Sequence, residues 1–144
     1  MKLSTKGRYG LRALIDLAQN GGEQPVSITS ISTRQDISER YLEQLMSMLK
    51  KAGIVRSVRG AQGGYTLTRR PDEYTVGMIL RLTEGSLSPV ACVGEDAVAC
   101  TKMETCATKE LWRRLNDAIN GVVDHITLAD LVEWQNNNPE NYSI

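Results

Sequence analysis

The sequence has no long apolar run, a single histidine and only three cysteines among its 144 residues. The first apolar stretch, residues 11–18, is interrupted by Arg12 and Asp16, and no run approaches the ~18 apolar residues of a transmembrane helix. No P-loop or GxGxxG pattern is present, and one histidine in a predicted helix disfavours a Ser-His-Asp triad. We therefore expect neither an enzyme nor a membrane protein. Without a recognisable signal peptide, we expect a cytoplasmic chain whose thiols stay reduced.

Net charge is also zero, but the two halves of the chain differ in sign. Residues 1–70 carry twelve Lys and Arg against five Asp and Glu, whereas residues 71–144 carry five against twelve. Such a split predicts that the basic half binds a polyanion, nucleic acid above all. Two solvated surfaces of a single domain would give the same asymmetry, so charge alone leaves both interpretations open.

Hydrophobic periodicity predicts a mainly α fold with one small β-hairpin. Helices are predicted over 5–19, 28–34 and 39–52, with Ser27 and Ser38 as caps of the second and third. Alternation and glycine-rich turn residues predict a hairpin, and capping and spacing predict three later helices. These elements are the strands 54–59 and 65–67 and the helices 76–84, 108–125 and 128–136. The long apolar stripe of the helix 108–125 predicts packing on another helix.

The second and third helices have the spacing of a helix-turn-helix. In that layout the start of the second helix of the pair faces base edges in the major groove. Arg40, Glu43 and Gln44 occupy this position, and their side chains can pair with guanine, cytosine and adenine respectively. Because a carboxylate repels phosphates, Glu43 should select sequences rather than add affinity. A merely solvated helix face is the alternative.

The hairpin carries two arginines next to a glycine-rich tip. Arg56 and Arg59 precede the tip and Gln62 lies within it, so a side chain there can enter the minor groove. An ordinary exposed turn is the alternative. At the start of the first helix, Thr5 and Arg8 are placed to hold phosphates. Helix, turn, helix and basic hairpin together favour contact with double-stranded DNA.

The three cysteines fall within fifteen residues, in the pattern C-x7-C-x5-C formed by Cys92, Cys100 and Cys106. An odd, clustered set in a cytosolic protein argues against a disulfide framework and favours a metal or redox site. The spacing is not a general cluster motif, so free thiols or a redox pair remain as alternatives.

The chain resembles the iron–sulfur cluster regulator family of winged helix-turn-helix repressors, which has IscR-like, NsrR-like and CymR-like members. The resemblance covers nearly the whole chain, and its most specific segments are YLEQL at 41–45 and RGAQGGY at 59–65. Further similarity lies at 1–10 and 126–132. It implies a winged helix-turn-helix with a long C-terminal dimerisation helix, and a homodimer that binds a near-palindromic operator. Glu43 and Gln44 in the recognition helix and Arg59 in the wing match family positions that meet bases and the minor groove. Together with the positions read from the sequence itself, the candidate DNA-contacting residues are Thr5, Arg8, Ser38, Arg40, Tyr41, Glu43, Gln44, Arg56, Arg59, Gly60 and Gln62.

The resemblance also implies a division of the chain. Residues 1–85 would form the DNA-binding domain and 86–107 the cysteine loop. Residues 108–136 would form the dimerisation and terminal helices, and 137–144 a tail.

In the cluster-binding members of this family, three cysteines in the corresponding loop hold an iron–sulfur cluster. The resemblance therefore implies that Cys92, Cys100 and Cys106 are iron ligands, with [2Fe–2S] favoured over [4Fe–4S]. The fourth ligand stays open. Lys109 stands where IscR-like members have a histidine, and Arg8 lies where NsrR-like members have an acidic residue. The other candidates are a small molecule, Glu95, Asp96, Glu104 and, about five helical turns beyond Cys106, His125.

Two functional hypotheses follow. The first is a cluster-sensing repressor of cluster assembly genes. The second is a cluster-free repressor of cysteine metabolism that acts with an enzyme partner, its cysteines redox-active or incidental.

Overall fold

The computed structural model describes residues 2–95, 97 and 105–138. Six α-helices and a two-stranded antiparallel hairpin make up this part of the chain, with a short 3-10 turn at Pro71–Glu73. The helices and strands are α1 (Thr5–Asn20), α2 (Ile28–Gln35), α3 (Glu39–Lys51), β1 (Val55–Val58), β2 (Gly64–Leu67), α4 (Val76–Glu84), α5 (Ala107–Val123) and α6 (Leu128–Asn136).

Serine side chains fix where the first three helices begin. Ser4, Ser27 and Ser38 each accept a hydrogen bond from the backbone N–H three residues ahead, at 3.1–3.3 Å. Asp36, between α2 and α3, adopts a left-handed conformation with φ 55°, which turns the chain sharply. The predicted bounds of these helices are confirmed to within one residue, and so are the caps Ser27 and Ser38.

The core lies where α1, α2 and α3 meet the hairpin. The side chains of Leu14, Ile31, Leu42, Met46 and Leu49 are fully enclosed there. Burying five side chains of this size contributes about 1.5–3 kcal/mol each relative to exposure. The apolar stripe of α3 is thereby turned inward, and its polar side is left facing solvent.

The hairpin continues outward from this core. β1 pairs with β2 from Val55 opposite Leu67 to Val58 opposite Gly64, and Val26 adds a further antiparallel bridge to Tyr65. A Cβ atom at Gly63 would collide with the carbonyl oxygen of Val58, so the tip requires glycine there. The strand predicted over 54–59 is confirmed but shorter, at Val55–Val58, because Arg59 and Gly60 belong to the turn.

The last helix returns to the first. Thr127 and Asp130 form a capping box that starts α6, as predicted. Leu128 is buried in the main core, and α6 packs against α1. At the entrance to α6, the N–H of Leu128 donates to the carbonyl of Tyr74 at 2.9 Å.

Helix α5 stands apart from this core. Among the described residues, it buries none of its own side chains. No helix in the described part of the chain is both long and apolar enough to span a membrane. A helix-turn-helix followed by a two-stranded wing defines a winged helix fold, as predicted.

Candidate nucleic-acid interface

The starts of α1 and α3 form one continuous surface. The hydroxyls of Thr5 and Tyr41 are 3.2 Å apart, and the rings of Tyr9 and Tyr41 meet edge to face at 5.9 Å between centroids. The guanidinium groups of Arg8 and Arg12 lie 6.0 and 5.2 Å from the centre of the Tyr9 ring. Two arginines and two hydroxyls, from helices that begin 34 residues apart in the chain, are therefore presented together.

The polar side of α3 is free for contact. Arg40, Glu43 and Gln44 are exposed, while Tyr41 is half-buried by its contacts with α1. Ser38 is exposed too, although its hydroxyl oxygen accepts from the N–H of Tyr41. The first turns of the helix thus offer a donor, an acceptor and an amide, the three kinds of group that read base edges.

The wing carries the other predicted contacts. Arg56 is held along β1, since its Nε donates to Thr66 Oγ1 at 3.0 Å. Arg59, Gly60 and Gln62 are exposed at the tip. Among the described residues, no hydrogen bond or ion pair joins Arg59 or Gln62 to α3, and Gln62 lines a groove with Ser30 and Arg34 of α2.

A buried carboxylate joins α1 to α2, and sequence reasoning missed it. Asp16 is fully buried, and its oxygens accept from Arg34 Nε at 2.9 Å, Arg34 Nη2 at 2.7 Å and Gln35 Nε2 at 3.0 Å. In the sequence, Asp16 stands out only as an interruption of an apolar run. A carboxylate between the inward-facing Ala13 and Leu17 was itself a signal, because a buried charge requires a partner.

The part of the cysteine loop that follows α4 forms a hydrogen-bonded turn. Ser88 Oγ lies 2.6 Å from the carbonyl oxygen of Val90 and 2.5 Å from that of Val93, and Val93 is buried. Cys92 is half-buried within this turn. Cys106 is the N-terminal flanking residue of α5, and its Sγ lies 3.0 Å from Thr108 Oγ1.

Three of the predicted site residues lie outside the described part of the chain. They are the remaining cysteine, Cys100, and the candidate fourth ligands Asp96 and Glu104. Within the described ones, no three His, Cys, Asp or Glu side chains come together as a metal site. Lys109 is half-buried, and Arg8 and Glu95 are exposed. His125 Nδ1 lies 2.9 Å from the carbonyl oxygen of Gly121 at the far end of α5.

An ion pair connects α4 to α5. Arg81 Nη1 and Nη2 donate to the two carboxylate oxygens of Asp124 at 2.5 and 3.0 Å, and Nη2 also donates to Asn120 Oδ1 at 2.9 Å. These hydrogen bonds lower the pKa of Asp124 and raise the pKa of Arg81, which the charge of Glu95 raises further. The contact was not predicted, because its partners are 43 residues apart.

Two hydrogen bonds to a carboxylate tie α4 to the start of α1. Glu84 Oε1 accepts from the backbone N–H of Ser4 at 3.2 Å and from its hydroxyl at 2.5 Å. A side chain at Gly7 would collide with Glu84. The start of α1, with its candidate phosphate ligands Thr5 and Arg8, is therefore anchored to the helix that leads into the cysteine loop.

The far side of α5 is apolar and uncovered. Leu111, Leu115 and Val122 are 54%, 42% and 56% exposed, and they recur at the spacing of one helix face. Asn120 and Asp124 lie on the opposite face, towards α4. An apolar stripe of this kind on a long helix is what a second helix would cover.

Comparison with known proteins agrees with the winged helix fold and its polar face. Residues 3–134 match the Rrf2 family, described as an iron-dependent transcriptional regulator. The chain belongs to this family of transcriptional regulators.

Both CymR and IscR regulators are among the similar proteins. The chain is 48% identical to the HTH-type transcriptional regulator CymR of Bacillus subtilis over 142 residues, which is 99% of this chain and 97% of CymR. It is 45% identical to the regulator IscR of Aliivibrio salmonicida over 132 residues, 92% of this chain and 77% of IscR. The solved structure of CymR, the global cysteine regulator of B. subtilis, superposes with a TM-score of 0.79 over 93% of this chain and 98% of that one.

Proposed function

We propose that this protein binds a near-palindromic operator as a homodimer and represses transcription, with an iron–sulfur cluster on its cysteine loop setting its affinity for DNA. The observation that carries the DNA-binding part is the shared surface of α1 and α3, joined by the contact of Thr5 with Tyr41. Such a surface lets one helix hold phosphates while the other enters the major groove.

In this proposal each DNA-facing element has a separate task. Thr5, Arg8, Ser38 and Tyr41 fix the register on the backbone, since hydroxyls and arginines are common phosphate ligands. Arg40, Glu43 and Gln44 read bases. The wing residues Arg56, Arg59, Gly60 and Gln62 approach the minor groove.

The exposed apolar side of α5 supplies the dimer contact. Leu111, Leu115 and Val122 face away from α4, so a second α5 can cover them without disturbing the winged helix. Two copies related by a two-fold axis would present their α3 helices to half-sites about 34 Å apart, or a multiple of this.

Cys92, Cys100 and Cys106 would hold the cluster, and a fourth ligand is not assigned. Thiolates suit iron, and a bound cluster would supply a group that oxidants, nitric oxide or iron shortage can alter. Cys92 lies within the connection between α4 and α5, and Cys106 lies at its end. A change in the loop would therefore act on the helices that carry both the DNA-binding unit and the dimer face. Linkage requires that operator binding change cluster affinity by the same factor.

The identity to CymR favours a second candidate. In this alternative the protein binds no cluster, controls cysteine metabolism together with an enzyme partner, and its cysteines are redox-active or incidental. The DNA-binding surface and the dimer face are the same in both candidates.

Anaerobic purification, followed by visible spectroscopy and iron and sulfide counts, separates the two. A coloured protein with iron, beside a colourless but dimeric variant with all three cysteines changed to alanine, supports the cluster. Arg70→Gln, which changes an exposed side chain outside the cysteine loop, is the control and should keep its iron. A colourless wild-type protein without iron supports the cluster-free candidate. Failure to enrich any duplex from a random pool would overturn both.

A further inference from the structure

Two contacts among the described residues attach helix α5 to the winged helix unit. The first is its C-terminal end, where the N–H of Val76 donates to the carbonyl of Ile126 at 2.8 Å and Thr75 bridges Thr127. The second is the contact of Arg81 with Asn120 and Asp124. Both attachments lie at the C-terminal end of α5. The backbone contact holds the end of the helix, and the contact with Arg81, within two turns of Ile126, also limits the direction in which the helix leaves that end.

The packing of α4 leaves space for the second attachment. Gly77 is buried, and a side chain there would collide with Asp124, so this glycine leaves room for the ion pair between the helices. Both oxygens of Asp124 are engaged by the two terminal nitrogens of Arg81. Such a bidentate pair constrains orientation as well as distance.

The cysteine loop reaches the same attachment. Arg81, Gly94 and Glu95 line a cavity of about 340 Å³ together with Asn116 and Asn120 of α5. The negative charge of Glu95 acts on Arg81 as well. A rearrangement of the loop would therefore change the surroundings of Arg81 directly, whereas the proposed DNA-facing residues do not line this cavity.

We propose that Arg81 is a positioning residue that sets the angle between the DNA-binding unit and the dimer helix, and thereby the half-site spacing that the dimer accepts. This inference rests on the proposed binding of DNA by a dimer. One base pair more or less between half-sites shifts them by about 3.4 Å and rotates them by about 35°. A rigid dimer discriminates against such a change, and a dimer with a loosened helix joint does not.

The experiment uses an operator enriched from random duplexes by the wild-type protein, and derivatives with one central base pair removed or added. Wild-type protein should bind the altered spacings about tenfold or more weakly. In Arg81→Gln this discrimination should fall to about threefold or less, while binding to an isolated half-site is unchanged. Arg70→Gln is the matched control, because Arg70 also pairs with an aspartate, Asp72, but contacts neither α4 nor α5 in the described chain. It should discriminate like wild type.

Equal discrimination by Arg81→Gln and wild type would overturn the inference and leave the proposed function standing. A wild-type protein that enriches no duplex would overturn both. Size-exclusion chromatography and circular dichroism establish that each variant is a folded dimer. If Arg81→Gln does not fold, the double variant Asn120→Ala, Asp124→Asn removes the same contact from the other side and decides by the same measurement.

Discussion

Both carboxylate oxygens of Asp16 accept hydrogen bonds from the guanidinium of Arg34, at 2.7 and 2.9 Å, although the Asp16 side chain is only 1% exposed. Arg34 closes the pair from the solvent side, at 39% exposure. Because Asp16 belongs to α1 and Arg34 to α2, this pair sets the orientation of the first helix of the helix-turn-helix.

Asp16→Asn should destabilise the protein, because it replaces a buried oxygen that accepts from the Arg34 guanidinium with an amide nitrogen that cannot accept. We expect a loss of about 1–3 kcal/mol in the free energy of unfolding, measured by urea denaturation. Asp72→Asn is the control, since Asp72 and Arg70 form an exposed pair and should contribute about 1 kcal/mol at most. Similar losses in the two variants would show that the buried pair has no special role.

Arg59→Ala should weaken operator binding by about 1–3 kcal/mol and relax selectivity at the base step that the wing contacts. Arg59 is exposed at the hairpin tip, and no other described residue holds it in place. Arg70→Ala is the control, because it removes the same charge from an arginine that follows β2 and is not among the proposed DNA contacts. Unchanged affinity of Arg59→Ala in a gel-shift titration would remove the wing from the proposed interface.

Leu115→Asp should convert the protein to monomers, because it places a charge in the centre of the apolar side of α5. Leu115→Met keeps that side apolar at similar volume and should remain dimeric. Analytical ultracentrifugation measures both. A dimeric Leu115→Asp protein would mean that another surface carries the dimer contact.

The pair of Asp124 with Arg81 should make part of the stability depend on pH. The pKa of Asp124 is lowered below its ordinary value of 3.8, chiefly by the hydrogen bonds from Arg81, and the unfolded chain lacks these bonds. The pair therefore stabilises the folded state above the unfolded pKa, and this contribution is lost as the pH falls through the lower, folded pKa.

Asp124→Asn should accordingly cost most at neutral pH and less as the pH falls below about 4. Denaturant unfolding of both proteins across this range measures the difference. Asn120→Ala removes a partner of the same arginine that does not titrate, so its cost should stay nearly constant. A constant cost for Asp124→Asn would contradict the prediction.

Much of the fold follows from local rules that the sequence displays. Ser27, Ser38 and Thr127 begin helices because their side chains satisfy backbone N–H groups, and this chemistry is legible without tertiary contacts. The exposed side of α3 is also predictable from the sequence, because it consists of the polar positions between the apolar residues of the helix.

What could not be predicted are pairings between distant parts of the chain. These pairings depend on how the helices pack, and the sequence shows only which polar and charged residues are available. They are Asp16 with Arg34, Glu84 with Ser4, and Arg81 with Asp124. The return of α6 to α1 was missed for the same reason, since Leu128 has the same apolar character whether it packs on α5 or on the core.

That return has a consequence for how the protein is made. Leu128 fills a place in the core of the DNA-binding unit, between helices whose own residues are synthesised more than a hundred positions earlier in the case of α1. Because α6 follows α5 in the chain, this core can be completed only after α5 has been synthesised. In the proposed dimer, the DNA-binding surface and the apolar side of α5 would therefore become available at the same stage of synthesis.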